Sequence, residues 1–172
     1  MKLAKSLDRL GTETAFSVLA KAKKLEAQGM PMIHLGLGQP DFKTPKHVVD
    51  AAKKALDDGH HGYVLSNGIL ECRQAVTRKI KKLYNQEIDP ERIIIMPGGK
   101  PTMHYAIQCY GEPGVEIIRP TPAFPIYESM INYTGSTPVP YDLTEDKDLK
   151  FSADKILSLI TEKTRLLILI NP

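Results

Sequence analysis

Tryptophan is absent from these 172 residues, and cysteine occurs only as Cys72 and Cys109. The two cysteines lie far apart and form no C-x-x-C pair, so neither a disulfide framework nor a zinc site is suggested. Both fall at apolar positions of helical patterns, where a cysteine is expected to act as a small buried hydrophobe. Long apolar runs are missing too. The longest is Leu166 to Ile170, far short of a bilayer span. The N-terminus, with Lys2, Lys5, Asp8 and Arg9, lacks the apolar core of a signal peptide. A reducing cytoplasm is the expected compartment. There is no repeat or low-complexity tract. The net charge of +3 is spread over several segments, such as Lys21, Lys23 and Lys24, then Arg78, Lys79, Lys81 and Lys82. Such runs on helices read as solvated faces, and no basic patch with interleaved aromatics points to nucleic acid. His34, His47, His60, His61 and His104 have no metal-ligand spacing.

What is present describes an ordinary globular chain, 42% hydrophobic and 25% charged, long enough for one well-buried domain. From Thr12, the residues Ala15, Val18, Leu19, Ala22 and Leu25 recur at helical spacing up to Gly29, a left-handed stop. Met32 to Leu35 reads as a short extended piece, followed by the turn-rich stretch Gly36 to Phe42. Thr44-Pro45 reads as an N-cap with proline at the first helical position, opening a helix that runs to Gly59. Another helix follows Gly68, with Ile69, Cys72, Val76, Ile80 and Leu83 on one stripe. Strand-like and helix-like pieces then alternate: Ile93–Met96, Lys100–Tyr110, Val115–Ile118, Ala123–Tyr133, Thr137–Tyr141, Ser152–Thr161 and Leu166–Ile170. Continuous apolar strands alternating with helices predict an α/β fold with a mostly parallel sheet covered by helices on both faces. The last strand reads as a central one, with the chain stopping just after it at Asn171-Pro172. Since parallel sheets place ligands at the carboxyl ends of their strands, the chain is expected to be the first part of a longer polypeptide.

The most informative segment is Ile93-Ile94-Ile95-Met96-Pro97-Gly98-Gly99-Lys100. A β-branched apolar run breaks on glycines and opens a helix, whose first-turn N–H groups have no intrahelical partner and carry partial positive charge. That is a phosphate cradle. It is not a P-loop, which needs an earlier glycine and a Ser or Thr after the lysine, where this chain has Pro101. Nor is Gly36-x-Gly38 a dinucleotide fingerprint, because Gln39-Pro40-Asp41 follows and no helix opens.

Several ordered blocks together resemble the fold type I, pyridoxal-phosphate-dependent aminotransferases of the aspartate aminotransferase class. They are Leu37-Gly38-Gln39-Pro40-Asp41-Phe42 with Thr44-Pro45, Tyr63 with Asn67-Gly68, Pro97-Gly98-Gly99-Lys100, Pro113 to Ile117, Pro122-Ala123-Phe124-Pro125-Ile126-Tyr127, and Thr164-Arg165 leading into the last strand and Asn171-Pro172. The resemblance implies an N-terminal helical arm and part of a small domain over residues 1–44, and the first part of the cofactor-binding large domain over 45–172. It implies that Gly99 and Lys100 offer backbone N–H groups to the cofactor phosphate, with Gly98 allowing the turn and Lys100 acting mainly through its backbone. Phe124 matches the aromatic ring that stacks on the pyridine ring, and Gly38 the glycine whose N–H helps hold the substrate α-carboxylate. Tyr63 resembles the tyrosine that reaches across a dimer interface to the neighbour's phosphate, which implies a homodimer with a shared active site.

The activity so implied is transfer of an amino group between an L-amino acid, best guessed as aspartate or glutamate type, and a 2-oxo acid. The family's Schiff-base lysine, and its partners on the cofactor ring and α-carboxylate, come after the position of Pro172 in the family's order. No catalytic residue is therefore assigned, and the chain alone is expected to be inactive. Two alternatives stay open: a non-catalytic relative acting as a binding protein, and a lyase of the same fold. Two departures bear on this. Gly114-Val115-Glu116 replaces a common Gly-Asp-Glu, and Phe124 replaces the tryptophan of several aspartate-using relatives, which loosens the inference to aspartate.

Overall fold

The computed structural model describes residues 2–11, 14–143 and 151–170; Thr12 and the Asn171-Pro172 pair lie outside them. In chain order the elements are α1 (Thr14–Glu26), α2 (Lys46–Asp57), α3 (Leu70–Tyr84), α4 (Gly99–Tyr110), β1 (Glu116–Thr121), α5 (Ile126–Thr134), β2 (Thr137–Asp142), α6 (Ala153–Ser158) and β3 (Thr164–Leu167), with 3-10 turns at Lys5–Arg9 and Pro90–Arg92. They form two compact units, one of Met1–Leu37 with Gly98–Pro172 and the other of Gly38–Pro97.

The first unit contains the sheet. β1 lies between β2 and β3, and both pairings are parallel. Successive side chains of a strand point to opposite faces, and β1 uses both. Val115 and Ile117 pack with Ile107 of α4 and Met130 and Ile131 of α5, while Ile118 packs on the other face with Tyr141 and Ile156 of α6. Ile117, Ile118 and Ile131 are fully buried, and each such side chain contributes on the order of 1.5–3 kcal/mol. The α/β class expected from the alternation is thus the fold observed. Ser152 caps α6 by accepting from the Lys155 N–H.

The expected strand Leu166–Ile170 instead runs from Thr164 to Leu167, for a reason that lies in its neighbour. Ile168 N–H donates to the Ile118 carbonyl at 2.9 Å. The next ladder bond would come from the N–H of residue 120, but that residue is proline and has none. The N-terminal arm is anchored in the same unit. Arg9 donates from Nε to the Asn132 carbonyl and from Nη2 to the Tyr133 carbonyl, both at 2.8 Å, so a cation meets the carbonyls of the last turn of α5.

The second unit is held differently. Arg73 of α3 is 1% exposed. It donates to the Gly68 carbonyl at 3.1 Å, the Pro90 carbonyl at 3.0 Å and Glu91 Oε1 at 2.8 Å, fastening the helix to the turns on either side. α2 begins at Lys46, with Pro45 rather than Thr44 in the cap position and no side-chain cap bond. It carries the i,i+4 pairs Lys46–Asp50 and Lys54–Asp58. Ile93–Met96, expected as a strand, forms no ladder among the described residues. A strand exists only by pairing, and here Ile93 N–H turns back to the Pro90 carbonyl while Ile95 N–H reaches the Asn67 carbonyl, both at 3.1 Å; Ile94 and Ile95 stay exposed. The cysteines also differ from expectation: Cys72 is half-buried and Cys109 exposed, because Cys109 lies on the side of α4 away from Ile107 and the sheet core.

Among the described residues no helix is long and apolar enough to cross a membrane.

Candidate active site

The cradle forms where the Gly-Gly pair meets α4. Gly98 sits at the cap with φ 104° and ψ 167°, a conformation that side chains other than hydrogen scarcely tolerate. As a glycine, the cap residue has no side chain to bond the first-turn amides. Thr102 Oγ1 donates to the Gly98 carbonyl at 3.2 Å. Pro101 has no N–H, so the first-turn donors are those of Gly99 and Lys100. Gly98, Gly99 and Lys100 are exposed, and a Cβ added at either glycine would meet nothing within 4 Å. An exposed helix N-terminus opened by two glycines suits a phosphate dianion by both dipole and hydrogen bonding.

Phe124 belongs to the same unit. It lies in the turn that leaves the carboxyl end of β1, after the cis Thr121–Pro122 bond, and is half-buried. Tyr127 meets its ring edge-on, with centroids 6.5 Å apart and an interplanar angle of 86°. The Lys100 ammonium lies 5.5 Å from the Phe124 centroid and 5.2 Å from that of Phe16, within cation–π range of both. The sequence thus brings Gly98, Gly99, Lys100 and Phe124 into one unit, and the structure adds a ring that sequence reasoning missed. Phe16 lies off the apolar stripe of α1 and is 53% exposed; a large aromatic on the polar side of an amphipathic helix was the available signal.

The other two candidates belong to the Gly38–Pro97 unit. Gly38 is exposed, with open space where a Cβ would be. Tyr63 is fully exposed and rims an open cavity of about 660 Å³ with His60, Val64, Ile69 and Glu71. A separate apolar groove of about 290 Å³ runs along α4 and β3 through Met103, Ala106, Tyr127 and Leu167. Its apolar lining suits side chains rather than an anion. Among the described residues no group of three or more His, Cys, Asp or Glu side chains could hold a metal ion.

A parallel sheet sheathed by helices, with an open helix N-terminus and an aromatic turn at a strand's carboxyl end, defines the large-domain fold of the fold type I transferases. The chain belongs to the aminotransferase class I and II family, whose model matches residues 30–172; members of that family use pyridoxal phosphate. Over all 172 residues it is 36% identical to an aspartate aminotransferase of Bacillus subtilis, of which it spans 44%. It is 33% identical over 170 residues to the (5-formylfuran-3-yl)methyl phosphate transaminase of Methanocaldococcus jannaschii, spanning 44% of that protein. Among solved structures, the aspartate aminotransferase of Thermus thermophilus with maleate superposes with a TM-score of 0.91 at 29% identity, covering 98% of this chain and 44% of that one. The chain therefore spans less than half the length of these relatives.

Proposed function

We propose that the full protein is a pyridoxal-phosphate-dependent aminotransferase of amino-acid metabolism, moving the amino group of an aspartate- or glutamate-type donor to a 2-oxo acid. The observation that carries this reading is the N-terminus of α4, opened by the Gly98-Gly99 turn and exposed to solvent. When bound, pyridoxal phosphate supplies an electron sink for the carbanion left as the α-proton departs. The chain's own residues bind and orient. The Gly99 and Lys100 N–H groups hold the phosphate, and Gly98 gives the turn. Phe124 fixes the plane of the ring by stacking, and Gly38 offers its N–H to the donor α-carboxylate. Tyr63 reaches the phosphate bound by a partner copy, so the working unit is a homodimer of the cytoplasm. The lysine that anchors the cofactor is supplied from outside these 172 residues, which alone are inactive.

Kinetics of the full-length protein across a donor panel, with and without 2-oxoglutarate, test this. Amino transfer that requires the oxo acid and is fastest with an acidic donor is expected. Product formed equally well without oxo acid would replace transamination with lyase chemistry, and no turnover with any donor would remove the enzymatic reading. Borohydride treatment of the 172-residue chain with cofactor should trap no lysine adduct; a stoichiometric adduct would contradict its inactivity.

A further inference from the structure

A proline in the middle strand of a sheet leaves a carbonyl without a donor, since proline cannot contribute to the ladder. Pro120 is such a residue: it lies in β1, between β2 and β3, in register with Tyr141 of β2, and is fully buried. Residue 118 of β1 bonds to β3 through its carbonyl, which accepts from Ile168 N–H at 2.9 Å. Two residues on, the N–H of position 120 would donate to the Ile168 carbonyl. Tyr141 makes that bond instead. Its side chain passes over Pro120 and its hydroxyl donates to the Ile168 carbonyl at 3.1 Å. Tyr141 is 2% exposed, and Phe151 packs edge-on against its ring with centroids 5.9 Å apart. Burial raises the phenol above its usual value, so it remains a donor throughout the neutral range.

The position of this bond is informative. It joins β2 to β3 across β1 at the carboxyl ends of all three strands, the edge where parallel sheets present their ligand sites. Pro120 precedes by four residues the Phe124 ring that faces the Lys100 ammonium, and Ile168 begins the exit of β3.

We propose that Tyr141 is a positioning residue of the cofactor site: its hydroxyl replaces the donor that Pro120 lacks and so fixes the exits of β1 and β3 relative to each other. The inference rests on the reading of that edge as a pyridoxal phosphate site. Tyr141 touches neither cofactor nor substrate. It acts through the Ile168 carbonyl, and its loss frees the turn that carries Phe124.

Restoring the missing N–H gives a test that a merely space-filling tyrosine would not pass. Tyr141→Phe, Pro120→Val and the double variant are made in the full-length protein. Cofactor dissociation is followed by absorbance, thermal unfolding by circular dichroism, and amide exchange by mass spectrometry over residues 164–170. Tyr141→Phe should release cofactor about tenfold faster and lose exchange protection in that segment, the scale of one hydrogen bond lost at a half-buried carbonyl. The double variant should return both to within about twofold of wild type, because valine supplies the donor. A Tyr141→Phe protein that fails to fold while the double variant folds would support the proposal as well. Unchanged dissociation in Tyr141→Phe, or a double variant no better than the single one, would overturn it. If wild-type protein binds no pyridoxal phosphate, the functional reading fails, and the exchange and unfolding cycle still decides whether Tyr141 substitutes for the Pro120 N–H.

Discussion

Residues 98–170 and residues 38–97 are built from similar material and reach opposite states. In the former, two apolar faces of one strand are closed by helices, and Ile117 and Ile118 are completely buried. In the latter, Arg73 is the one buried side chain among the described residues, while Val48, Val49, Leu56, Val64, Leu65 and Ile94 remain exposed. The first region satisfies its own backbone through a ladder, and the second relies on a guanidinium that collects two carbonyls and a carboxylate. Apolar sequence therefore creates a core only where the chain also supplies an opposing surface. The candidate site divides along the same line. Of the proposed site residues, Gly98, Gly99, Lys100 and Phe124 belong to the closed region, and Tyr63 and Gly38 to the open one.

The largest expected effect falls on the open region. Arg73→Ala should cost about 3 kcal/mol through lost packing and the lost bonds to Gly68, Pro90 and Glu91, and amide exchange should show it as about a hundredfold loss of protection in α3. Protection in β1 and β2 should hardly change; an equal loss there would mean that the two regions melt as one. Next comes the cradle. Gly99→Pro keeps a residue suited to the first helical position and removes one N–H. It should weaken pyridoxal phosphate binding by about 1.5–3 kcal/mol, the range for a hydrogen bond to a charged group, with helical circular dichroism unchanged. Phe124→Leu should cost about 0.5–1.5 kcal/mol of the same affinity, since a stacked ring is worth about that beyond its buried area; a larger loss measured by titration would give Phe124 more than a stacking role.

The smallest effect depends on pH. The folded protein holds the Tyr141 proton to higher pH than the unfolded chain does, because burial raises that phenol. Its stabilisation is complete below about pH 10 and is lost as pH rises through the raised folded value. The thermal midpoint of wild type should therefore fall more steeply than that of Tyr141→Phe above about pH 10; parallel curves would show that this phenol titrates alike folded and unfolded.

Much of this was legible in the residues, and the failures share a cause. Periodicity found α4, α5 and β2, because burial on one or two faces is written locally; β3, whose sequence reads as a central strand, lies at an edge of the sheet among the described residues. The Gly-Gly turn was legible because the φ of 104° at Gly98 leaves glycine as the natural choice. Ile93–Met96 looked like a strand, yet pairing is a property of two segments and only one is written there. The early end of β3 was decided by a proline in another strand, and the contact of Phe16 with Lys100 by the path of the arm. Cys109 lies two residues, about 200° of helical rotation, beyond Ile107 and so faces away from the core.

The central claim is that the amides opening α4 receive the phosphate of pyridoxal phosphate. Amide NMR of the isotopically labelled full-length protein tests it most directly, by comparing pyridoxal phosphate with pyridoxal. The Gly99 and Lys100 amide protons should move strongly downfield with the phosphorylated compound and stay near their free positions with pyridoxal. Shifts of equal size with both, or none with either, would contradict the account.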